Sequence, residues 1–443
     1  MPMDANTQAQ FTDHQATISK LWYERLQQNN FDSALIASGA NTLYHDDDQS
    51  PPFHANPHFL RWTVAENSEH CLLLLNGKGQ PKLLWYCPAD YWYLPSSTPD
   101  WLLDHFDCES YSTRSDLEQA CLQHLTELSR VAYFGATPAR YVDLDNVELP
   151  STALQNQLAY TRGYKTPFEV SQISNATAIA VQGHLAAYDC FEAGGSEFEI
   201  HLAYQERTKH VHHDLPYPSI VALNDHSSTL HYQHYDRDPP ARRLSFLIDA
   251  GAKERCYHSD ITRSYSANPN DAFADLVSSV DEAQQSLVAQ LPDLTDFVEF
   301  HERAHVAMAE VLVALKILTC STTAAFEQQL TDIFYPHGTG HLLGLQTHDI
   351  GGHIVDAEGS EGKPPTRFPS LRLVRRIEAD LVFTVEPGIY FIPVLLDRVR
   401  GHKDINWSLV EQFVPFGGVR IEDNVLVESN GIRNFTRAAF SAA

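Results

Sequence analysis

Residues 246–265, Phe-Leu-Ile-Asp-Ala-Gly-Ala-Lys-Glu-Arg-Cys-Tyr-His-Ser-Asp-Ile-Thr-Arg-Ser-Tyr, set two carboxylates into apolar surroundings. The segment opens on β-prone apolar residues ending in Asp249 and turns through Gly251 and charged residues. It resumes an extended pattern around Asp260, Thr262 and Ser264, which predicts a hairpin. A carboxylate at the end of an apolar strand is costly to bury unpaired. Two of them facing one cavity repel unless a proton or a metal cation lies between them. A solvated edge position would account for either Asp alone, so the weight falls on whether the pattern repeats.

It repeats twice. Leu381-Val-Phe-Thr-Val-Glu386-Pro387-Gly388 is an apolar strand that delivers Glu386 at its end, where Pro387 stops the ladder. In Gly417-Gly-Val-Arg-Ile-Glu422, strand alternation puts Arg420 and Glu422 on one face with Val419 and Ile421 on the other. Arg420 is therefore expected beside Glu422 in the same cavity; the alternative, an exposed ion pair, would contribute little. His337-Gly-Thr-Gly-His341 adds an imidazole donor on a turn whose glycines let the backbone approach a ligand. A nucleotide loop is excluded there, because Leu343 stands where Gly-x-Gly-x-x-Gly requires glycine.

Asp249, Asp260, His341, Glu386 and Glu422 together give four carboxylates and one imidazole, and four negative charges balance two divalent cations. Oxygen-rich ligation with one nitrogen favours Mn²⁺, although Co²⁺, Fe²⁺ or Zn²⁺ suits the same set. A water bridging two such ions is acidic enough to act as nucleophile near neutral pH. A rival lies at His301-Glu302-Arg303-Ala304-His305, which fits the His-Glu-x-x-His pattern of zinc peptidases on a predicted helix. Met308 and Val311 occupy the positions where the metzincin continuation needs Gly and His, and only the distant Glu327 offers a third ligand. This reading leaves the five-residue set unexplained, so His301 and His305 are expected on a structural helix.

A chain of 443 residues suits two domains. Its net charge of −26, from 57 acidic and 31 basic residues, argues against nucleic-acid and anionic-membrane partners. Bound cations would offset part of that charge. The seven cysteines are scattered with no Cys-x-x-Cys pair, which predicts a reduced, intracellular protein. With no signal-like start and no apolar run of spanning length, a cytoplasmic location is expected.

Residues 1–163 read as an α/β domain. A helix is expected over 11–28, strands over 34–37, 71–75, 82–87 and 131–134, and a capping box at Ser115 predicts a helix start there. His45-Asp-Asp-Asp48, followed by Pro51 and Pro52, reads as a polar loop. Residues 164–443 read as an α+β domain. Capping boxes at Thr166 and Ser196 open two helices, and further helices are expected over 271–289 and 297–315. Residues 217–232 form a histidine-rich loop or edge strand. Residues 351–377 lack a clear period and are expected to be disordered or a functional cover.

Five motifs in order, Asp249-Ala-Gly, Ser259-Asp260-Ile-Thr-Arg, His337-Gly-x-Gly-His341, Thr384-Val-Glu386-Pro-Gly and Gly418-Val-Arg-Ile-Glu422-Asp-Asn, resemble those of the pita-bread metallopeptidases. Within that family the chain is most similar to the bacterial Xaa-Pro dipeptidases, or prolidases, including the organophosphorus acid anhydrolases. The resemblance spans nearly the whole chain. It implies a creatinase-like N-terminal domain, a pita-bread catalytic domain, two Mn²⁺ per subunit and a homodimer. Asp260 and Glu422 would bridge the two ions, Asp249 would bind one, and His341 and Glu386 the other, with Glu386 also shuttling the proton. His337 and His348 would stabilise the tetrahedral intermediate. His231 and Arg420 would hold the substrate's free carboxylate, and Tyr217 and Leu230 would line the leaving-group side. Thr339 and Leu342 depart from the residues many prolidases carry, which bears on pocket shape rather than ligation.

The activity so implied is hydrolysis of dipeptides with C-terminal proline, with organophosphate triesters and fluoridates as side substrates. The alternatives are an aminopeptidase P that trims longer Xaa-Pro peptides and a peptidase-like binding module without catalysis. Five intact ligand positions count against the module.

Overall fold

Short apolar runs become the centre of one sheet in the first half of the chain. A computed structural model describes residues 3–443 apart from residues 78, 95, 137 and 138. The chain divides into two compact units. Unit 1 comprises residues 1–162, 166–169 and 356–360; unit 2 comprises 163–165, 170–355 and 361–443.

Unit 1 holds a six-stranded sheet built from β1 (Ser33–Ala37), β2 (Leu72–Leu75), β3 (Lys82–Tyr86), β4 (Asp107–Tyr111), β5 (Val131–Phe134) and β6 (Val147–Glu148), in the order β4-β3-β2-β1-β5-β6. β1 pairs parallel with β5 and antiparallel with β2, with Ala37 opposite Leu72. β2 and β5 are buried along their length, as unbroken apolar runs require. Helix Ala5–Gln28 buries Phe11, Ile18, Trp22 and Leu26 along one stripe. The helix expected from Ser115 is Arg114–Thr126, and its cap is Thr113: its hydroxyl accepts from the Asp116 amide at 3.1 Å and donates to the Asp116 carboxylate at 2.7 Å. Asp116, one residue after Ser115, reaches back to Thr113 more readily than Glu118 reaches to Ser115, which moves the start by two residues.

In unit 2, β7 (Ile220–Leu223), β8 (Ser245–Asp249) and β11 (Thr262–Ser266) form one antiparallel sheet with β8 central; the short β9 (Lys253–Glu254) and β10 (Tyr257–His258) pair with each other between β8 and β11. β12 (Val382–Val385), β15 (Asp423–Glu428) and β16 (Gly431–Asn434) form a second sheet, and β13 (Gly388–Tyr390) pairs with β14 (Gly418–Arg420). Helices Ala272–Gln290 and Phe297–Ala314 supply Leu276, Val280, Phe297, Phe300 and Leu312 to the core that also holds Phe383, Ile389 and Val425. Among the described residues no helix is long and apolar enough to cross a membrane.

Residues 361–377 contain no helix and no strand, yet Phe368, Leu371 and Leu373 are buried. Apolar residues at those positions pin the segment down. Phe368 lies 4.4 Å from the ring of His301 and 4.8 Å from that of His305. Both histidines sit in structural settings: Nδ1 of His301 pairs with the Thr339 hydroxyl at 2.7 Å and Nδ1 of His305 with that of Thr331 at 3.0 Å. Burial, reinforced by neighbouring positive groups, holds both at about 3. The folded state therefore keeps them neutral while the unfolded chain protonates below about 6.5. Stability is then unaffected above that pH and falls as pH drops, by about 1.4 kcal/mol per pH unit for each group. Urea unfolding of His305→Gln between pH 6 and 4.5 is expected to show a shallower loss than the parent chain. Equal slopes would sink the account.

Candidate metal centre

Two backbone ladders bring the predicted residues together. In the first, β8 and β11 pair so that Asp249 lies opposite Thr262, and the Ala250 amide donates to Ile261, which sets Asp260 just before β11. A β-carbon on Gly251 would come within 2.0 Å of the Ser259 carbonyl, so only glycine permits this turn. In the second, residues 339–342 run alongside β12: Thr384 N donates to His341 O at 3.0 Å and Glu386 N to Thr339 O at 2.8 Å. Gly340 is needed there, because a β-carbon would lie 1.9 Å from the Thr384 carbonyl. An isolated bridge between Thr262 and Glu422 ties the first ladder to the segment that carries Arg420 and Glu422.

The side chains converge. Ligand atoms of Asp260, His341 and Glu422 all lie within 4.8 Å of one another, and all three residues are buried. His341 Nε2 is 3.3 Å from Asp260 Oδ2 and 3.9 Å from Glu386 Oε1. Its Nδ1 pairs with the Leu342 carbonyl at 3.0 Å, which leaves Nε2 facing the carboxylates. The Tyr217 hydroxyl sits between Asp249 Oδ1 at 2.8 Å and Asp260 Oδ1 at 2.5 Å. One phenolic proton cannot serve both oxygens, so the pair calls for a further proton or cation.

Arg420 faces this group as expected, and its commitments are specific. Nη2 donates to Asp249 Oδ2 at 2.7 Å, Nη1 to the Tyr390 hydroxyl at 2.9 Å, and Nε to the Thr262 hydroxyl at 3.1 Å. Thr262 in turn donates to Glu422 Oε2 at 2.7 Å. His337 has Nδ1 on the Gly338 carbonyl, 3.6 Å from Glu386 Oε2, and Nε2 on the Tyr390 hydroxyl at 2.8 Å. His348 stacks edge-on against His341 at 4.3 Å. His231 is exposed and Leu230 half-buried, on the segment after β7. A charge on His231 would be felt by both His337 and His348.

Burial drives the electrostatics. It raises Glu386 to about 7 against the pull of His341 and Arg420. It raises Glu422 far above the carboxylate range, with Asp260, Glu386 and Asp249 adding to the effect. Asp249 is raised by burial despite Arg420. For Asp260, burial is outweighed by hydrogen bonds from His341 and Tyr217, and it stays below its usual value. Burial and Arg420 push His337 down to about 3. Four carboxylates, Asp260 and Glu422 buried and Asp249 and Glu386 half-buried, thus share one guanidinium, which is the charge pattern of a polynuclear cation site.

Two family models match the chain: "Metallopeptidase family M24" over residues 171–429 and "Xaa-Pro dipeptidase, N-terminal domain" over residues 9–160. The chain belongs to metallopeptidase family M24. Among curated M24 relatives it is similar to the Xaa-Pro dipeptidases of Aeromonas hydrophila, at 38% identity over 97% of this chain and 98% of that one, and of Pseudoalteromonas haloplanktis, at 37% over 96% and 97%. Among solved structures, E. coli aminopeptidase P with the inhibitor Pro-Leu aligns with a TM-score of 0.72 at 20% identity, covering 96% of this chain and 98% of that one. The zinc-substituted form of that enzyme with product aligns with a TM-score of 0.71 over the same shares. That likeness is one of fold, the pita-bread fold with a smaller α/β unit before it. Family membership accounts for the donor set, since M24 proteins are metal-dependent peptidases.

Tyr390, Thr262, Arg263 and Asp423 escaped sequence reasoning. Arg263 donates to the Glu422 carbonyl at 2.8 Å and to Asp423 Oδ1 at 2.7 Å, so the residue after Glu422 anchors it from behind. Thr262, Arg263 and Asp423 stand inside the motifs that carry the ligands, and the motifs by themselves assign them no role. Tyr390 lies four positions past Glu386, where period and composition say nothing of function.

Proposed function

We propose that the chain hydrolyses dipeptides with C-terminal proline, using residues 164–443 as the catalytic domain and 1–163 as its companion. The observation that carries this is the convergence of Asp249, Asp260, His341, Glu386 and Glu422 around one guanidinium. Xaa-Pro dipeptidase similarity along the whole chain supports the substrate class. The donor set suits two divalent ions, with Mn²⁺ favoured by the oxygen-rich ligation. Asp260 and Glu422 would be shared between them, Asp249 would complete one and His341 with Glu386 the other. When bound, such ions polarise the scissile carbonyl and acidify water.

This chain's own residues do the remainder. Glu386 would move a proton to the departing proline nitrogen, which has no N–H of its own and must gain one to leave. His337 and His348 would stabilise oxygen as charge develops there, His348 directly and His337 through the Tyr390 hydroxyl that its Nε2 holds, its own N–H being on the Gly338 carbonyl. Three of the five guanidinium N–H groups of Arg420 are committed, and the other two, with His231, would meet the dipeptide carboxylate. Tyr217 and Leu230 would line the leaving-group side, against the proline ring, with the Tyr217 hydroxyl held between Asp249 and Asp260. A homodimer and a cytoplasmic location complete the reading. Organophosphate triesters and fluoridates are side substrates of the same centre, because tetrahedral phosphorus resembles the carbonyl's tetrahedral intermediate.

Chain stripped by chelator and reloaded with Mn²⁺ is expected to bind about two ions and to recover Ala-Pro hydrolysis, two being the number of charges-balanced sites. Absence of turnover in the reloaded protein would leave a binding module. Faster cleavage of Ala-Pro-Ala than of Ala-Pro would point to aminopeptidase P.

A further inference from the structure

Outside the metal centre, the described residues contain one other grouping of metal-ligand types, Glu197, His226 and Asp236, with ligand atoms within 4.8 Å of one another. Its hydrogen bonding argues against a cation. Glu197 is 1% exposed, and both its oxygens are filled. Oε1 accepts from the Leu223 amide at 2.8 Å and from His226 Nδ1 at 2.7 Å; Oε2 accepts from the Tyr232 hydroxyl and the Asp236 amide, each at 2.8 Å. A carboxylate has about four acceptor positions, and all are taken.

The four donors are spaced along residues 223–236, and Leu230 and His231 lie among them. Glu197 itself is the first residue of helix Glu197–Thr208, fixed by the Ser196–Glu199 capping box and by Phe198 N donating to Asp236 O at 3.1 Å. The His226 ring stacks on Tyr232 at 4.5 Å. On its other side the segment is held by Ser227, whose hydroxyl accepts from Gly418 N at 3.0 Å and lies 3.1 Å from Phe416 O. Gly418 opens the strand that ends in Arg420. One buried carboxylate thus closes a segment that, beyond Leu223 at the end of β7 and a 3-10 turn over Asn224–Ser228, has no strand pairing, the segment that carries His231.

We propose that Glu197 is a positioning residue for substrate: by gathering residues 223–236 it sets His231 and Leu230 at the distance from Arg420 that a dipeptide carboxylate and proline ring require. This rests on the dipeptidase reading for the identity of the ligand, and the positioning itself does not. Glu197→Gln presents an amide N–H₂ to two of the four donors and loses their hydrogen bonds, while the shape of the side chain is kept.

The test compares the full-length chain, its Glu197→Gln form, His231→Ala and the double variant, all loaded with Mn²⁺. KM for Ala-Pro is expected to rise about tenfold in Glu197→Gln with kcat within about twofold, the size of effect found when a supporting hydrogen-bond partner is removed. In the His231→Ala background the same substitution is expected to add little. Hydrogen exchange should speed up in residues 223–236 and stay unchanged in β8 and β12. Unchanged KM, or faster exchange spread over the whole of unit 2, would overturn the proposal. So would a further equivalent of Mn²⁺ or Zn²⁺, titrated as the metal alone, that disappears in Glu197→Gln. Should the parent chain not cleave Ala-Pro at all, the dipeptidase reading fails by itself, and the exchange pattern still decides whether Glu197 holds the segment.

Discussion

Glu422→Gln is expected to lower Ala-Pro hydrolysis by more than about a hundredfold and to reduce bound metal, yet to leave the metal-free protein at least as stable as the parent chain. The activity loss should exceed the roughly 10- to 100-fold cost of losing an outer partner, because Glu422 would itself be a shared ligand. The stability side follows from charge. Glu422 is 2% exposed and faces Asp260, Glu386 and Asp249 with Arg420 as the one guanidinium among them. Without metal Glu422 has to take up a proton on folding at neutral pH, because burial and its carboxylate neighbours oppose its charge; glutamine keeps an oxygen for the Thr262 hydroxyl and removes that cost. The measurement pairs metal analysis and kinetics with thermal unfolding in chelator. A drop in metal-free stability would show that Glu422 serves the fold; full activity with full metal would remove it from the centre. The opposite signs expected here are what distinguish residues kept for chemistry from residues kept for packing.

The parts of this molecule legible in the sequence are those where a local rule and a tertiary need coincide. The run ending in Asp249 is apolar because β8 is the middle strand of its sheet, and the carboxylate at its end stands out for that reason. Gly340 reads as a glycine needed for a close approach to a ligand; what lies close is the Thr384 carbonyl, 1.9 Å from where a β-carbon would stand. Thr166 and Ser196 read directly as caps because their partners are three residues away; Glu199 closes the second box at 2.8 Å. What stayed hidden depends on pairs far apart in sequence. The His301 and His305 pattern is the clearest case: the helix was foreseeable, while the Thr339 hydroxyl that occupies His301 comes from the His-Gly-Thr-Gly-His turn itself. Thr339, read only as a departure from prolidases, thereby joins that helix to the metal-ligand segment. For residues 351–377 the alternative of disorder fails for a related reason. The apolar residues there are too widely and irregularly spaced to show a period, yet Phe368, Leu371 and Leu373 each find a buried place. Arg420 and Glu422 were placed on one face by alternation, and both do meet the Thr262 hydroxyl, but the partner was not visible in the strand's own sequence.

Lys165→Met is expected to destabilise the protein by about 3–5 kcal/mol, the cost of breaking a buried ion pair from one side. Lys165 Nζ lies 3.0 Å from Asp349 Oδ2, with the side chains 1% and 2% exposed. Gly344 makes room for them, since a β-carbon there would come within 2.3 Å of the Asp349 carboxylate and 3.0 Å of the Lys165 ammonium. Asp349 also accepts from the Ile350 amide at 3.0 Å, and its own amide donates to the Leu342 carbonyl at 2.9 Å. The pair thus closes the turn that runs from His341 to His348, one ring on each end, 4.3 Å apart. Replacing both partners by apolar residues of similar volume, Lys165→Met with Asp349→Leu, should recover part of the loss, because no charge is then left buried alone. Urea unfolding of the parent, both single variants and the double variant gives the coupling directly. Additive losses would mean that the two charges do not depend on each other. A strong coupling accompanied by reduced kcat in the double variant would assign the pair to holding His348 in place as well as to stability: the apolar substitute restores packing, while the Ile350 amide loses its carboxylate acceptor and the turn its fixed end.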